Sequence, residues 1–79
     1  MTGRTFTVNA AWDAEARVWT VSDSDVPGLA AEADTVERLQ AKLRGLIPEL
    51  LAENGVAAPE PVAFALVATS TTYVSRNAA

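Results

Sequence analysis

The sequence predicts an α+β domain of order β-β-β-α-β, with one antiparallel sheet packed on a single helix. Three observations carry that prediction. Thr5 to Trp12 alternates in character with period 2. Val36 to Leu51 repeats apolar residues at helical spacing. Val62 to Ser75 is rich in β-branched and aromatic residues. A sheet with one apolar face and a helix with one apolar stripe bury both against each other, which is the simplest two-layer solution.

In the first strand Phe6, Val8, Ala10 and Trp12 share one face, and Thr5, Thr7, Asn9 and Ala11 the other. Asp13-Ala14-Glu15-Ala16-Arg17 is polar and suits a hairpin loop. Val18 to Ser22 follows as a second strand with Trp19 and Val21 on one face. Asp23-Ser24-Asp25 and Val26-Pro27-Gly28 then redirect the chain, because Asp and Ser compete for backbone hydrogen bonds and Pro-Gly favours a turn. Leu29 to Glu32 supplies a short third strand.

Asp34-Thr35 opens the helix. With Asp34 as N-cap, Glu37 completes an arrangement like a capping box; with Thr35 as N-cap, Glu37 complements the helix dipole. The apolar stripe is Val36, Leu39, Leu43, Leu46, Ile47, Leu50 and Leu51. Pro48 lies within it and removes a helical hydrogen bond, but the stripe keeps its phase across Pro48, which favours one kinked helix over two short ones. Asn54-Gly55 stops it. The last strand, Val62 to Ser75, is expected to be partly unpaired at its end, with Arg76 to Ala79 frayed.

The chain of 79 residues has room for one domain, residues 1–79, with an ordered core of about 4–75. It contains no cysteine and no histidine. Disulfides, thiol chemistry, Cys/His zinc sites and imidazole catalysis are therefore excluded, and no cofactor is expected. The formal net charge of −4 disfavours direct nucleic-acid binding. Six acids (Asp13, Glu15, Asp23, Asp25, Glu32, Asp34) but one base, Arg17, lie between Asp13 and Asp34. Such a field keeps a protein soluble and also steers a basic partner. No apolar run is long enough to span a bilayer. Met1-Thr2-Gly3-Arg4 leads straight into the first strand with no signal-peptide core, so a soluble cytoplasmic protein is expected.

The order of motifs is similar to a known family. Trp19-Thr20-Val21-Ser22 leads into Asp25-Val26-Pro27-Gly28-Leu29, and Asp34-Thr35-Val36-Glu37 then opens an apolar helix. This resembles the HicB-like antitoxin superfamily over residues 5 to about 70. Ala10-Ala11-Trp12-Asp13 and Leu46-Ile47-Pro48-Glu49-Leu50-Leu51 look like its short single-domain members of unknown function. Ala33 stands where the pattern often has glycine, and Arg38 replaces a second glutamate. The resemblance implies a partial RNase H-like sheet and a non-enzymatic module that masks a small, basic, RNA-cleaving toxin and commonly self-associates. Many such antitoxins carry a further DNA-binding module; this chain stops after the last strand, so DNA-binding autoregulation is not expected of it. The alternative is an orphan domain acting as a small regulatory or ligand-sensing homodimer.

Within that reading the residues expected to meet a partner are Asp13, Glu15, Trp19, Asp23 and Asp25. Those expected to shape the fold are Pro27, Gly28, Asp34, Thr35, Glu37 and Pro48. Asp23 and Asp25 are also suited to turn capping, and paired carboxylates can hold a divalent cation. Trp12 and Trp19 serve either as sheet packing or as an interface anchor. Thr69-Ser70-Thr71-Thr72 carries hydroxyls without a base and offers a seam for dimerisation if its edge is free.

Overall fold

Residues 4–77 are described by a computed structural model. The expectations for Met1-Thr2-Gly3 and for Ala78-Ala79 lie outside those residues. The alternating segment forms β1 (Thr5–Asp13), joined by a hairpin to β2 (Val18–Ser24). A two-residue β3 (Glu32–Ala33) precedes α1 (Val36–Glu53), and β4 (Ala63–Thr69) closes the order β-β-β-α-β. The sheet order is β3-β2-β1-β4.

The sheet is mixed rather than antiparallel throughout: β2 pairs antiparallel with β1 and with β3, but β4 lies parallel to β1. The helix is the cause. It starts beside Ala33 at the end of the sheet that holds Trp12 and Trp19, and its 18 residues run roughly 27 Å back along β1. The chain re-enters at Thr5↔Ala63 and has to run in the same direction as β1, up to Ala11↔Thr69.

Strand boundaries also shift. β2 continues through Asp23 and Ser24, which the residue pattern assigns to the loop, because a bulge keeps them paired with Asn9 and Val8. The third strand lies at Glu32–Ala33, not Leu29–Glu32; Ala31 still accepts a hydrogen bond from the Val21 N–H (3.0 Å). β4 ends at Thr69, and Ser70 to Ser75 carries no strand pairing.

One face of the sheet is buried against the helix. Phe6, Val8 and Ala10 meet Leu39, Leu43, Ile47 and Leu51, with Val26 and Ala33 completing the cluster. Trp19, Val21, Phe64 and Leu66 pack around it, partly buried. Phe6, Val8, Leu39 and Leu43 are fully excluded from solvent. The alternation of β1 and the stripe of α1 are both legible in the sequence, and they select the same core.

The turns follow their residue chemistry. Asp13 Oδ1 accepts from the N–H groups of Glu15 (3.0 Å) and Ala16 (3.1 Å), and Arg17 closes the hairpin in the left-handed region at φ 60°. Pro27 and Gly28 are the central residues of a turn closed by Leu29 N–H to the Val26 carbonyl (3.3 Å), with Gly28 at φ 73°. At the helix end Val56 N–H donates to Leu51 O and Gly55 N–H to Ala52 O, with Gly55 at φ 64°. That is the Schellman pattern, and it satisfies carbonyls the helix leaves open. The helix runs unbroken through Pro48, which sits on its exposed side while Ile47 and Leu51 hold the core.

Two outcomes test this packing. Leu43→Ala is expected to lower stability by about 2–5 kcal/mol in urea denaturation, whereas Arg44→Ala next to it should stay within about 0.5 kcal/mol. Arg17→Gly should raise stability by about 0.5–1 kcal/mol, since glycine adopts the left-handed conformation without a steric penalty. An unchanged or lower midpoint would contradict the assigned hairpin geometry.

Candidate functional site

Trp12 and Trp19 face each other across the β1–β2 hairpin, on the helix side of the sheet and at its end. Their ring centroids are 5.3 Å apart and their planes tilted by 59°, a favourable edge-inclined geometry. Both rings are only partly buried, and Trp19 packs against the edge of the core beside Ala33. The first turn of α1 stands opposite. Together they form an open cleft of about 430 Å³ lined by Trp12, Trp19, Asp34, Thr35, Val36, Glu37 and Ser70.

Each lining element is placed for a local reason. Thr35 is the N-cap: its extended backbone (φ −132°, ψ 157°) lets Oγ1 accept from the Arg38 N–H at 3.0 Å. Asp34 is therefore not the cap. Its carboxylate instead receives Arg38 Nη1 at 3.2 and 3.1 Å, the one ion pair among the described residues. Arg38, the third residue of the helix, occupies the place from which a capping-box glutamate would reach back. Glu37 sits in the first turn, where the helix dipole favours it. Lys42 is drawn away to β3, donating to the Glu32 carbonyl at 2.6 Å.

The residues singled out in the sequence divide between the two ends of the sheet. Trp19 lines the cleft, and Asp13 and Glu15 lie at the same end, exposed on the hairpin. Asp34, Thr35 and Glu37, expected only to shape the fold, form the cleft's acidic wall. Asp23 and Asp25 are elsewhere. Asp25 ties the loop to β1: its Oδ2 accepts from the Thr7 N–H (2.9 Å), and its own N–H donates to the Thr7 carbonyl (3.0 Å). Thr7 is roughly 16 Å along β1 from Trp12, so these acids do not share a site with the tryptophans. Asp23 is exposed opposite Asn9. Among the described residues no three His, Cys, Asp or Glu side chains are grouped to hold a metal ion. Pro27, Gly28 and Pro48 serve the turn and the helix and lie outside the cleft.

Val36 and Ser70 join the cleft without being site residues in the sequence reading. Val36 belongs to the Asp34-Thr35-Val36-Glu37 helix start, and the return of β4 to the Trp12 end brings Ser70 there.

A family of domains of unknown function, DUF1902, matches residues 5–76. The chain belongs to that family. It is also similar to a solved hypothetical protein from the extremely thermophilic bacterium Thermus thermophilus. The identity is 54%, over 90% of this chain and 100% of that one, with a TM-score of 0.78. None of the curated proteins matches the chain. No helix among the described residues of this DUF1902 domain is long and apolar enough to cross a membrane.

The Asp34–Arg38 pair is exposed at both ends, 58% and 72%, so its contribution to the fold is small. Asp34→Asn is expected to change stability by less than about 0.5 kcal/mol. Thr35→Ala removes the cap and should lower it by about 1 kcal/mol. Thermal denaturation of Thr35→Ala beside Asp34→Ala decides the assignment, because asparagine caps as well as aspartate; a larger loss for Asp34→Ala would make Asp34 the effective cap.

Proposed function

We propose that this domain is a non-enzymatic, HicB-like interaction module that docks a small basic, RNA-cleaving protein and masks it, as an antitoxin does. The observation that carries the reading is the cleft: two partly exposed tryptophans walled by Asp34 and Glu37, with Asp13 and Glu15 at the same end. A lysine or arginine side chain entering it would meet aromatic faces and carboxylates at once. Cation–π contact of that kind is worth about 0.5–1 kcal/mol when exposed and about 2 when desolvated. The acidic end would also speed encounter with a basic surface. The β-β-β-α-β order, the Val26-Pro27-Gly28 turn and the Asp34-Thr35-Val36-Glu37 helix start support the likeness to the antitoxin superfamily.

Both tryptophans of the chain line the cleft, so tryptophan emission reports on it alone. Titration with a purified basic RNase of the toxin class is expected to shift that emission and to suppress RNA cleavage. The double variant Glu37→Lys with Asp34→Lys should abolish both effects while leaving the circular dichroism spectrum unchanged. Inhibition that survives the charge reversal would place docking elsewhere, and failure of the intact domain to bind would remove the proposal. Saturation by a small metabolite instead would support the orphan, ligand-sensing alternative.

A further inference from the structure

The described residues leave three large hydrophobic side chains well exposed: Val67 (46%), Tyr73 (92%) and Val74 (84%). All three lie on β4 or on the segment that follows it. Among the described residues β4 is an edge strand whose only partner is β1, so one side of its backbone from Ala63 to Thr69 is unpaired by them. From Ser70 to Asn77 the chain has no strand partner among the described residues. That segment, Ser70-Thr71-Thr72-Tyr73-Val74-Ser75, is strongly β-prone and carries no charge to blunt the edge.

The segment projects from the body as an arm. The long axis of the molecule is 54 Å, against roughly 30 Å for the nine-residue β1. The difference is about what seven extended residues span. The radius of gyration is 15.3 Å, where a chain of this length would have roughly 11.6 Å if compact. Exposed surface tells the same story: 5740 Å² against roughly 4,600 Å² for a compact 8.3 kDa chain. The excess, roughly 1,100 Å², is of the size that one partner contributes to a standard protein–protein interface, about 800 Å².

We infer that the continuous edge Ala63–Ser75 is the seam of a homodimer, paired antiparallel with the same segment of a second copy about a two-fold axis near Thr69. Self-complementarity selects this occupant. With Thr69 opposite its own copy, Tyr73 stands opposite Ala65 of the second chain, a large ring over a small residue on the outer face. Val74 stands opposite the partly buried Phe64, on the helix side. Val67, Tyr73 and Val74 each then gain a cross-strand neighbour, and both β4 edges are closed. The two four-stranded sheets become one of eight.

The chain has no cysteine, so a single introduced thiol reads the axis directly. Thr69→Cys is expected to give a covalent dimer in high yield with a short bismaleimide, and Arg44→Cys on the exposed back of the helix should not. Sedimentation of the intact chain at about 100 µM should give twice the 8.3 kDa mass. Removal of everything after Ser70 should give the single-chain mass with unchanged circular dichroism, as should Val67→Lys, which places two like charges near the axis. A monomeric intact chain overturns the inference. So does a dimer that persists in both variants, which would mean that copies associate through another surface.

Discussion

The structure depends on one contact, the apolar face of β1 against the stripe of α1. Phe6, Val8 and Ala10 advance by two along the strand, and Leu39, Leu43, Ile47 and Leu51 advance by about four along the helix. Both repeats progress by roughly 6–7 Å per step, so the two rows stay in phase along the whole layer. Each buried aliphatic or aromatic side chain contributes about 1.5–3 kcal/mol. In a chain of 79 residues with no disulfide, that row is the principal source of stability. The Thr35 cap and the Gly55 stop matter because they set where the helical row begins and ends.

The helix also decides what gathers at the far end of the sheet. It starts beside the two tryptophans and returns the chain to the opposite end, so β4 has to climb back alongside β1. Three stretches distant in sequence then meet: the β1–β2 hairpin, the first turn of α1 and the root of the arm. Trp12 and Trp19 stay partly exposed at that end, opposite a first helical turn whose residues include the polar Thr35 and Glu37. An open cleft at the margin of a well-packed layer is the outcome of that geometry.

Much of this is legible in the residues, for reasons that can be named. β1 can be read because a half-buried strand has to alternate, and α1 because its stripe survives Pro48 without a change of phase. The Pro27-Gly28 turn and the Asn54-Gly55 stop can be read because glycine stands at the positive φ of each. The direction of β4 cannot be read, since parallel and antiparallel partners demand the same side-chain pattern. The grouping of acids is only half visible. Asp13, Glu15 and Trp19 share one end of the sheet, whereas Asp25 is absorbed by a backbone hydrogen bond to Thr7 that its turn-like context already suggests. The cleft as a whole has no signature, because Trp12, Glu37 and Ser70 are neighbours only through tertiary pairing.

The parallel pairing of β1 with β4 has a consequence for how the molecule comes into being. β1 is the first strand to be synthesised and the last to be completed, since Thr5 waits for Ala63 and Ala11 for Thr69. The β1–β2 hairpin and α1 can form from local contacts alone, but one edge of β1 stays open until β4 has been translated. Closing so long a loop is an entropic cost met late, which slows folding relative to a helical bundle of the same size. In the interval the nascent chain exposes an unpaired strand edge beside Phe6 and Val8, and that is the stage at which it is most exposed to aggregation.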